Sequence, residues 1–196
     1  MASHILSRLA RALTARSRRA LSPPDTTVAA VLVPLLVVES ALHVLFTRRS
    51  AEHPHHRGQV AFPGGRRAAD DPDLAHTALR EAHEEVGIAP ADVTLLGALD
   101  DLETVGSRFV ITPWVGVVPH PYAWRPCPRE VDAIFTVPLD SLRAPEAERE
   151  EVWDFGGRRI PVRHFPVDGH VIWGATHRIT RNLLDLVDGT PPCAAS

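Results

Sequence analysis

No lysine occurs in this chain; all 21 of its basic side chains are arginines. Any cationic side-chain contact to phosphate must therefore come from arginine or histidine. The acids number 24 and the net charge is -3, a balance that argues against a general nucleic-acid binder. Cysteine is nearly absent. Cys127 and Cys193 lie far apart and outside any metal-ligand spacing. They support no disulfide framework, so a reducing, cytoplasmic compartment is the expectation. Long apolar runs are missing too. The most apolar stretch, Thr26 to Val38, is too short to cross a bilayer and holds Pro34. It reads as a buried strand, and no membrane partner is expected. No signal-peptide pattern precedes it, and neither repeats nor low-complexity blocks are visible.

What is present suits one well-packed domain in 196 residues, with 44% hydrophobic and 23% charged residues. The domain is expected over residues 25–190, after an Arg-rich helix or tail (1–24) and before a short C-terminal tail (191–196). In the first segment Ile5, Leu9 and Leu13 fall at helical spacing. Two readings of it stand, a surface helix packed on the domain and an organelle-targeting segment. The body begins with two alternating apolar runs, Thr27 to Val38 and Ala41 to Arg49, read as a hairpin. A loop and the short strand "VAFPGG" follow. "DDPDLAHTALREAHEEVG" reads as a helix with Asp71 as N-cap, Pro72 in the first turn and Gly87 at its end. Further strands are read in "VTLLGALDDLET", "RFVITPWVGVV", "PREVDAIFTVPL" and "RRIPVRHFPVDGHVIWG". The last helix places Ile179, Leu183, Leu186 and Val187 on one side. Strands around one early and one late helix predict an α/β (α+β) fold with a mixed central sheet.

The helix segment Arg80 to Gly87, "REAHEEVG", carries the chemistry. With Glu81 at zero on a helical wheel, Glu85 lies at about 40° and Glu84 at about 300°. Ala75, Leu79, Ala82 and Val86 fall between about 100° and 160°, an apolar stripe to bury against the sheet. The carboxylates flank it, at the edge of a partly walled cleft. Three like charges in one turn repel. Arg80 can pair with Glu84, which leaves Glu81 and Glu85 uncompensated. A hard divalent cation bound through oxygen would offset them, whereas a merely solvated acidic face needs no such order. The Gly64–Gly65 turn just upstream can present a carbonyl as a further oxygen ligand.

His76 and His83 fall near 200° to 220° on the same wheel, away from the carboxylates, and read as surface residues. His53, His55 and His56 cluster in the loop before "VAFPGG". They lack the further ligands a zinc site needs, and contact with phosphate or substrate is the functional reading.

These residues resemble the Nudix box, G-x5-E-x7-R-E-U-x-E-E-x-G-U with U aliphatic. Arg80-Glu81-Ala82-His83-Glu84-Glu85-Val86-Gly87-Ile88 match its second half. The first half is one residue longer, and its glutamate is replaced by the aspartate-rich "DDPD". The coenzyme A pyrophosphatase branch has a similar lengthened box. It is also similar to this chain at Thr47, Arg48, Arg49, Ser50, His56, Gly58, Gln59 and Phe62-Pro63-Gly64-Gly65, although His53-Pro54 stands where that branch has Leu-Arg.

The resemblance implies a Nudix-type α/β/α sandwich and metal-dependent hydrolysis of a nucleoside-linked diphosphate. For coenzyme A the products would be 3',5'-ADP and 4'-phosphopantetheine. It implies Mg2+ or Mn2+ held by Glu81, Glu85, Glu84 and the Gly64 carbonyl, with Arg80 orienting Glu84. Glu130 is the general base implied by family position, with Glu103 second. Arg48, Arg49, Arg57, His56 and Gln59 are the implied substrate contacts. The box does not separate coenzyme A from ADP-ribose or NADH; the upstream stretch favours coenzyme A. A nucleotide-binding module that does not cut is the rival from another class, and the three intact carboxylates argue against it. The sequence leaves the choice between monomer and homodimer open.

Overall fold

The structure, a computed structural model, describes residues 2–52, 57–104 and 107–190. It opens with helix α1 (Ala2–Ala15), which leads to strands β1 (Thr27–Val38) and β2 (Ala41–Arg49). These form the expected hairpin, with Leu35 opposite Val44 and Val38 opposite Ala41. Beyond that end the two strands diverge. The "VAFPGG" stretch fills the gap as two strands instead of one. β3 (Val60–Ala61) pairs with β2, and β4 (Gly64–Arg66) pairs with β1. Pro34 lies between the β4-paired and β2-paired parts of β1, where a missing N–H costs no ladder bond on that edge.

The chain then forms helix α2 (Leu74–Val86), β5 (Thr94–Ala98), β6 (Leu102–Glu103) and β7 (Phe109–Val117). The "VTLLGALDDLET" run is therefore two strands, interrupted at Asp100-Asp101. β7 runs parallel to β1, while β5 and β6 pair with its other edge. β8 (Val131–Pro138) pairs antiparallel with β2. One parallel pairing among antiparallel ones makes the sheet mixed.

Short helix α3 (Leu139–Arg143) leads to an antiparallel meander of β9 (Arg149–Phe155), β10 (Arg158–Val167) and β11 (His170–Trp173). β9 escapes a sequence reading because its residues are nearly all exposed, so its apolar Val152, Trp153 and Phe155 mark no buried face. Helix α4 (Gly174–Asp188) is the last element among the described residues.

Alternation along β1 gives the central sheet two cores. Ala30, Leu32 and Leu36 pack with Ala78, Ala82 and Val86 of α2. Val31, Val33 and Leu35 pack with Leu9 and Leu13 of α1 and with Ile179 and Leu183 of α4. The result is an α/β/α sandwich. After α1, the segment 16–21 is fastened to the Asp100-Asp101 turn. Asp100 pairs with the Arg16 side chain and the Arg19 amide. Asp101 pairs with Arg18, Thr112 and the Leu21 amide. Among the described residues no helix is long and apolar enough to cross a membrane.

Candidate active site

Helix α2 begins two residues later than the sequence suggests. Asp73 is its N-cap, accepting from the His76 amide at 2.9 Å. Asp71 is not free to cap. It is buried, and its two oxygens already accept from Arg80, Thr77 and the Ala68 amide. Arg80 Nε and Nη2 each lie 3.0 Å from an Asp71 oxygen, a two-pronged pairing that fixes the guanidinium plane. The sequence reading missed this partnership. Its available signal was the acid in "DDPD", standing where the box has glutamate.

The third nitrogen of Arg80 faces the helix. Nη1 lies 2.9 Å from Glu81 Oε1 and 3.0 Å from Glu84 Oε2. The Glu84 pairing agrees with the wheel. The Glu81 pairing corrects the expectation that Glu81 stands uncompensated. Because Asp71 anchors one edge of the guanidinium, the other edge reaches both glutamates.

The buried face of α2 also differs from the wheel. Thr77, Ala78, Ala82, Glu85 and Val86 are buried, while Ala75 and Leu79 are only partly so. The helix is thus turned by about 60° from the expected stripe, and this carries Glu85 inward. The Gly64–Gly65 turn packs closely against this face. A Cβ on Gly65 would lie 2.5–2.6 Å from the Glu81 carboxylate, and one on Gly64 would lie 2.5 Å from the Ala30 carbonyl. At Gly64 the backbone of β1 leaves room for glycine alone, whereas a side chain at Gly65 would displace the Glu81 carboxylate. The three carboxylates end in a gradient, with Glu85 buried, Glu81 half-buried and Glu84 exposed.

Burial raises the Glu85 carboxyl from an ordinary 4.5 to about 8. Glu130 and Glu81 push it the same way, against Arg49 and the Gly64 backbone N–H. Burial likewise raises Glu81, opposed by Arg80. Among the described residues no three His, Cys, Asp or Glu side chains close into a preformed metal cage. Arg80 draws in Glu81 and Glu84, whereas Glu85 faces Gly64 and Arg49. The donor set still suits a hard divalent cation. It offers carboxylate oxygens only, and its innermost member is buried against two further acids, a charge that a cation would offset.

Glu130 arrives from a distant part of the chain. The Cys127 amide donates to the Glu85 carbonyl at 2.8 Å and the Arg125 amide to the Val86 carbonyl at 2.9 Å. This loop therefore caps the end of α2. The Glu130 amide then donates to the Cys127 carbonyl, and its own carbonyl accepts from the Ser50 amide, both at 2.9 Å. Glu130 is set where β2 ends and α2 ends, and its charge acts on both Glu81 and Glu85. Glu103 stands exposed on β6 at the far edge of β7.

Arg49 lies at the end of β2, close enough for its charge to act on Glu85. Its amide donates to the Gln59 carbonyl at 2.9 Å, which puts Gln59 beside it. Arg48 points elsewhere, with Nε 2.7 Å from Asp132. Arg57 is exposed. His56, with His53 and His55, lies outside the described residues. His76 and His83 are exposed, and His76 pairs with Asp73.

Comparison with known proteins finds a family model, relatives and structural neighbours. The family model described as NUDIX domain matches residues 26–155. A protein of Pectobacterium atrosepticum named "Uncharacterized Nudix hydrolase NudL" is 46% identical over 116 residues, 59% of this chain and 59% of that one. The protein of the same name from Enterobacter sp. is 37% identical over 157 residues, 79% of this chain and 80% of that one. The crystal structure of a NUDIX hydrolase from Nitrosomonas europaea superposes with a TM-score of 0.55 at 17% identity, over 89% of this chain and 80% of that one. That last likeness concerns the fold.

Proposed function

Because the chain belongs to the Nudix family, we propose that it is a metal-dependent hydrolase of nucleoside diphosphate derivatives, with coenzyme A or its acyl derivatives as substrate. The products are 3',5'-ADP and 4'-phosphopantetheine or its acylated form. One observation carries the hydrolytic reading: the buried Glu85 carboxylate, set against Glu81 and Glu130 beside a side-chain-free glycine turn. A buried acid cluster of this kind is costly unless a cation joins it. Support for coenzyme A comes from the stretch Thr47 to Gly65, which resembles that branch. Its Arg49 and Gly64 both act on Glu85.

In this reading Glu81, Glu85, Glu84 and the Gly64 carbonyl hold Mg2+ or Mn2+, which neutralises phosphate charge and acidifies a water when bound. Arg80, fixed by Asp71, orients Glu84 and Glu81. Glu130 accepts the proton of the attacking water. Arg49, Arg57, His56 and Gln59 contact the phosphates and the nucleotide, with Arg48 reaching them by exchanging its Asp132 partner. The free thiol of Cys127 suits a reducing compartment such as the cytoplasm. Turnover of coenzyme A, ADP-ribose, NADH and diadenosine polyphosphates, each with Mg2+ or Mn2+, tests the substrate. Coenzyme A is expected to give the highest kcat/KM. Comparable turnover of ADP-ribose with none of coenzyme A would overturn the assignment.

A further inference from the structure

The loop that brings Glu130 to the site is seated by a side chain that the proposed reaction leaves unused. This stretch, 118–130, joins β7 to β8. It meets α2 where the helix ends. There the Gly87 amide donates to the His83 carbonyl at 3.0 Å and the Ile88 amide to the Ala82 carbonyl at 3.3 Å. The left-handed Gly87, at φ 77°, permits this turn. The Glu85 and Val86 carbonyls go instead to the Cys127 and Arg125 amides, so the loop shares in capping the helix. Its approach is close. A Cβ on Gly87 would lie 2.7 Å from the Arg125 Cβ.

Those two contacts are made by backbone. Upstream in the loop, a side chain makes the attachment. The Tyr122 hydroxyl accepts from the Ala89 amide at 2.9 Å and donates to the Asp92 carboxylate at 2.8 Å. Asp92 closes the 3-10 turn Pro90–Asp92, which leads into β5. Both partners of the hydroxyl therefore lie in the segment that leaves α2. The Tyr122 ring stacks with Trp124, centroids 4.9 Å apart, and both rings pack against the core on the α2 side.

From this attachment the contacts run on to Glu130. Tyr122 ties the start of the loop to the exit of α2, and Arg125 and Cys127 close it onto the last turn. The Cys127 carbonyl then accepts from the Glu130 and Val131 amides at 2.9 and 2.8 Å. Cys127 thus holds the Glu85 carbonyl through its amide and the Glu130 amide through its carbonyl. The seating of this loop sets Glu130 relative to Glu85, and a small displacement of a reacting group costs turnover steeply. We propose that Tyr122 is a positioning residue, whose hydroxyl seats the loop on the end of α2 and so sets Glu130 against the glutamate helix. Its effect on turnover rests on the reading of Glu130 as proton acceptor. The seating itself rests on the bonds to Ala89 and Asp92.

Tyr122→Phe tests both, because it removes the hydroxyl and keeps the ring. Amide hydrogen exchange reads the seating. The Arg125, Cys127 and Glu130 amides are expected to exchange about three- to tenfold faster in the variant, the scale of one lost hydrogen bond, with α4 unchanged. Steady-state kinetics with Mg2+, on whichever compound of the substrate panel turns over fastest, reads the effect on turnover. Tyr122→Phe should lower kcat by about three- to tenfold with KM within about twofold. In a Glu130→Gln background the same substitution should have no further effect. Unchanged exchange in the loop, exchange that quickens equally in α4, or the same loss of kcat with and without Glu130 would each overturn the proposal. Wild-type kcat in Glu130→Gln removes the general-base reading instead, and faster exchange confined to the loop then still establishes the seating by Tyr122.

Discussion

Arg80 meets Asp71 edge-on, with Nε and Nη2 each 3.0 Å from a different carboxylate oxygen. The guanidinium holds the Asp71 carboxyl well below the usual range. Asp71 is buried and also bonds Thr77 and the Ala68 amide. Asp71→Ala is expected to cost about 2–3 kcal/mol of stability by leaving those donors unmet. It should also lower kcat by releasing Arg80. Because the folded-state pKa is depressed, this stabilisation is present above the ordinary carboxylate value of 3.8 and fades as the pH falls below it. Urea denaturation of both proteins at pH 7 and pH 3 checks this: the difference between them should shrink at the lower pH.

Glu85 behaves oppositely. Its pKa is raised from 4.5 to about 8, so its protonated form is the one the metal-free fold favours. The stability it contributes is present below about pH 4.5 and is lost as the pH rises through about 8. The melting temperature of metal-free protein should therefore fall across that window, and Glu85→Gln should flatten the fall. Adding Mg2+ near pH 7 should release a proton, measurable by calorimetry in buffers of different ionisation enthalpy. A pH-independent melting temperature in the metal-free wild type would contradict the burial argument.

Gly65 has no room for a side chain. Its Cβ would lie 2.5–2.6 Å from the Glu81 carboxylate. Gly65→Ala is expected to push Glu81 off its position, reducing turnover at low metal concentration with partial recovery at high metal. A metal titration of activity in both proteins reads this directly.

Much of the fold was legible in residue order because it follows from local periodicity. The β1–β2 hairpin, the apolar side of α4 and the acidic face of α2 all come from spacing. What was not legible depends on partners far along the chain. Asp71 is a good N-cap in isolation, but Arg80 claims its carboxylate, and Asp73 caps instead. Glu85 lies inward beside the Gly64 backbone N–H, a tertiary fact invisible on a helical wheel. β3 and β4 separate because β1 and β2 diverge. Glu130 reaches the site only because Cys127 and Arg125 bind the carbonyls at the end of α2.

Glu130 and Glu103 offer a contrast. Glu130 acts on Glu81 and Glu85, whereas Glu103 is exposed on β6. Glu130→Gln is expected to lower kcat by about 100-fold or more, the scale of lost general-base catalysis, with a smaller change in KM. Glu103→Gln should lie within about threefold of wild type, since it removes no contact to the proposed reacting groups. Steady-state kinetics of the two variants decides between them, and a larger loss for Glu103→Gln would reverse the assignment.

The most direct measurement is Mg2+-dependent release of 3',5'-ADP from coenzyme A by wild type and by Glu85→Gln, with circular dichroism confirming both folds. Wild type should release the nucleotide only when metal is present. The variant should be inactive while its fold and melting transition persist. Full activity in a folded Glu85→Gln protein would contradict the account at its centre.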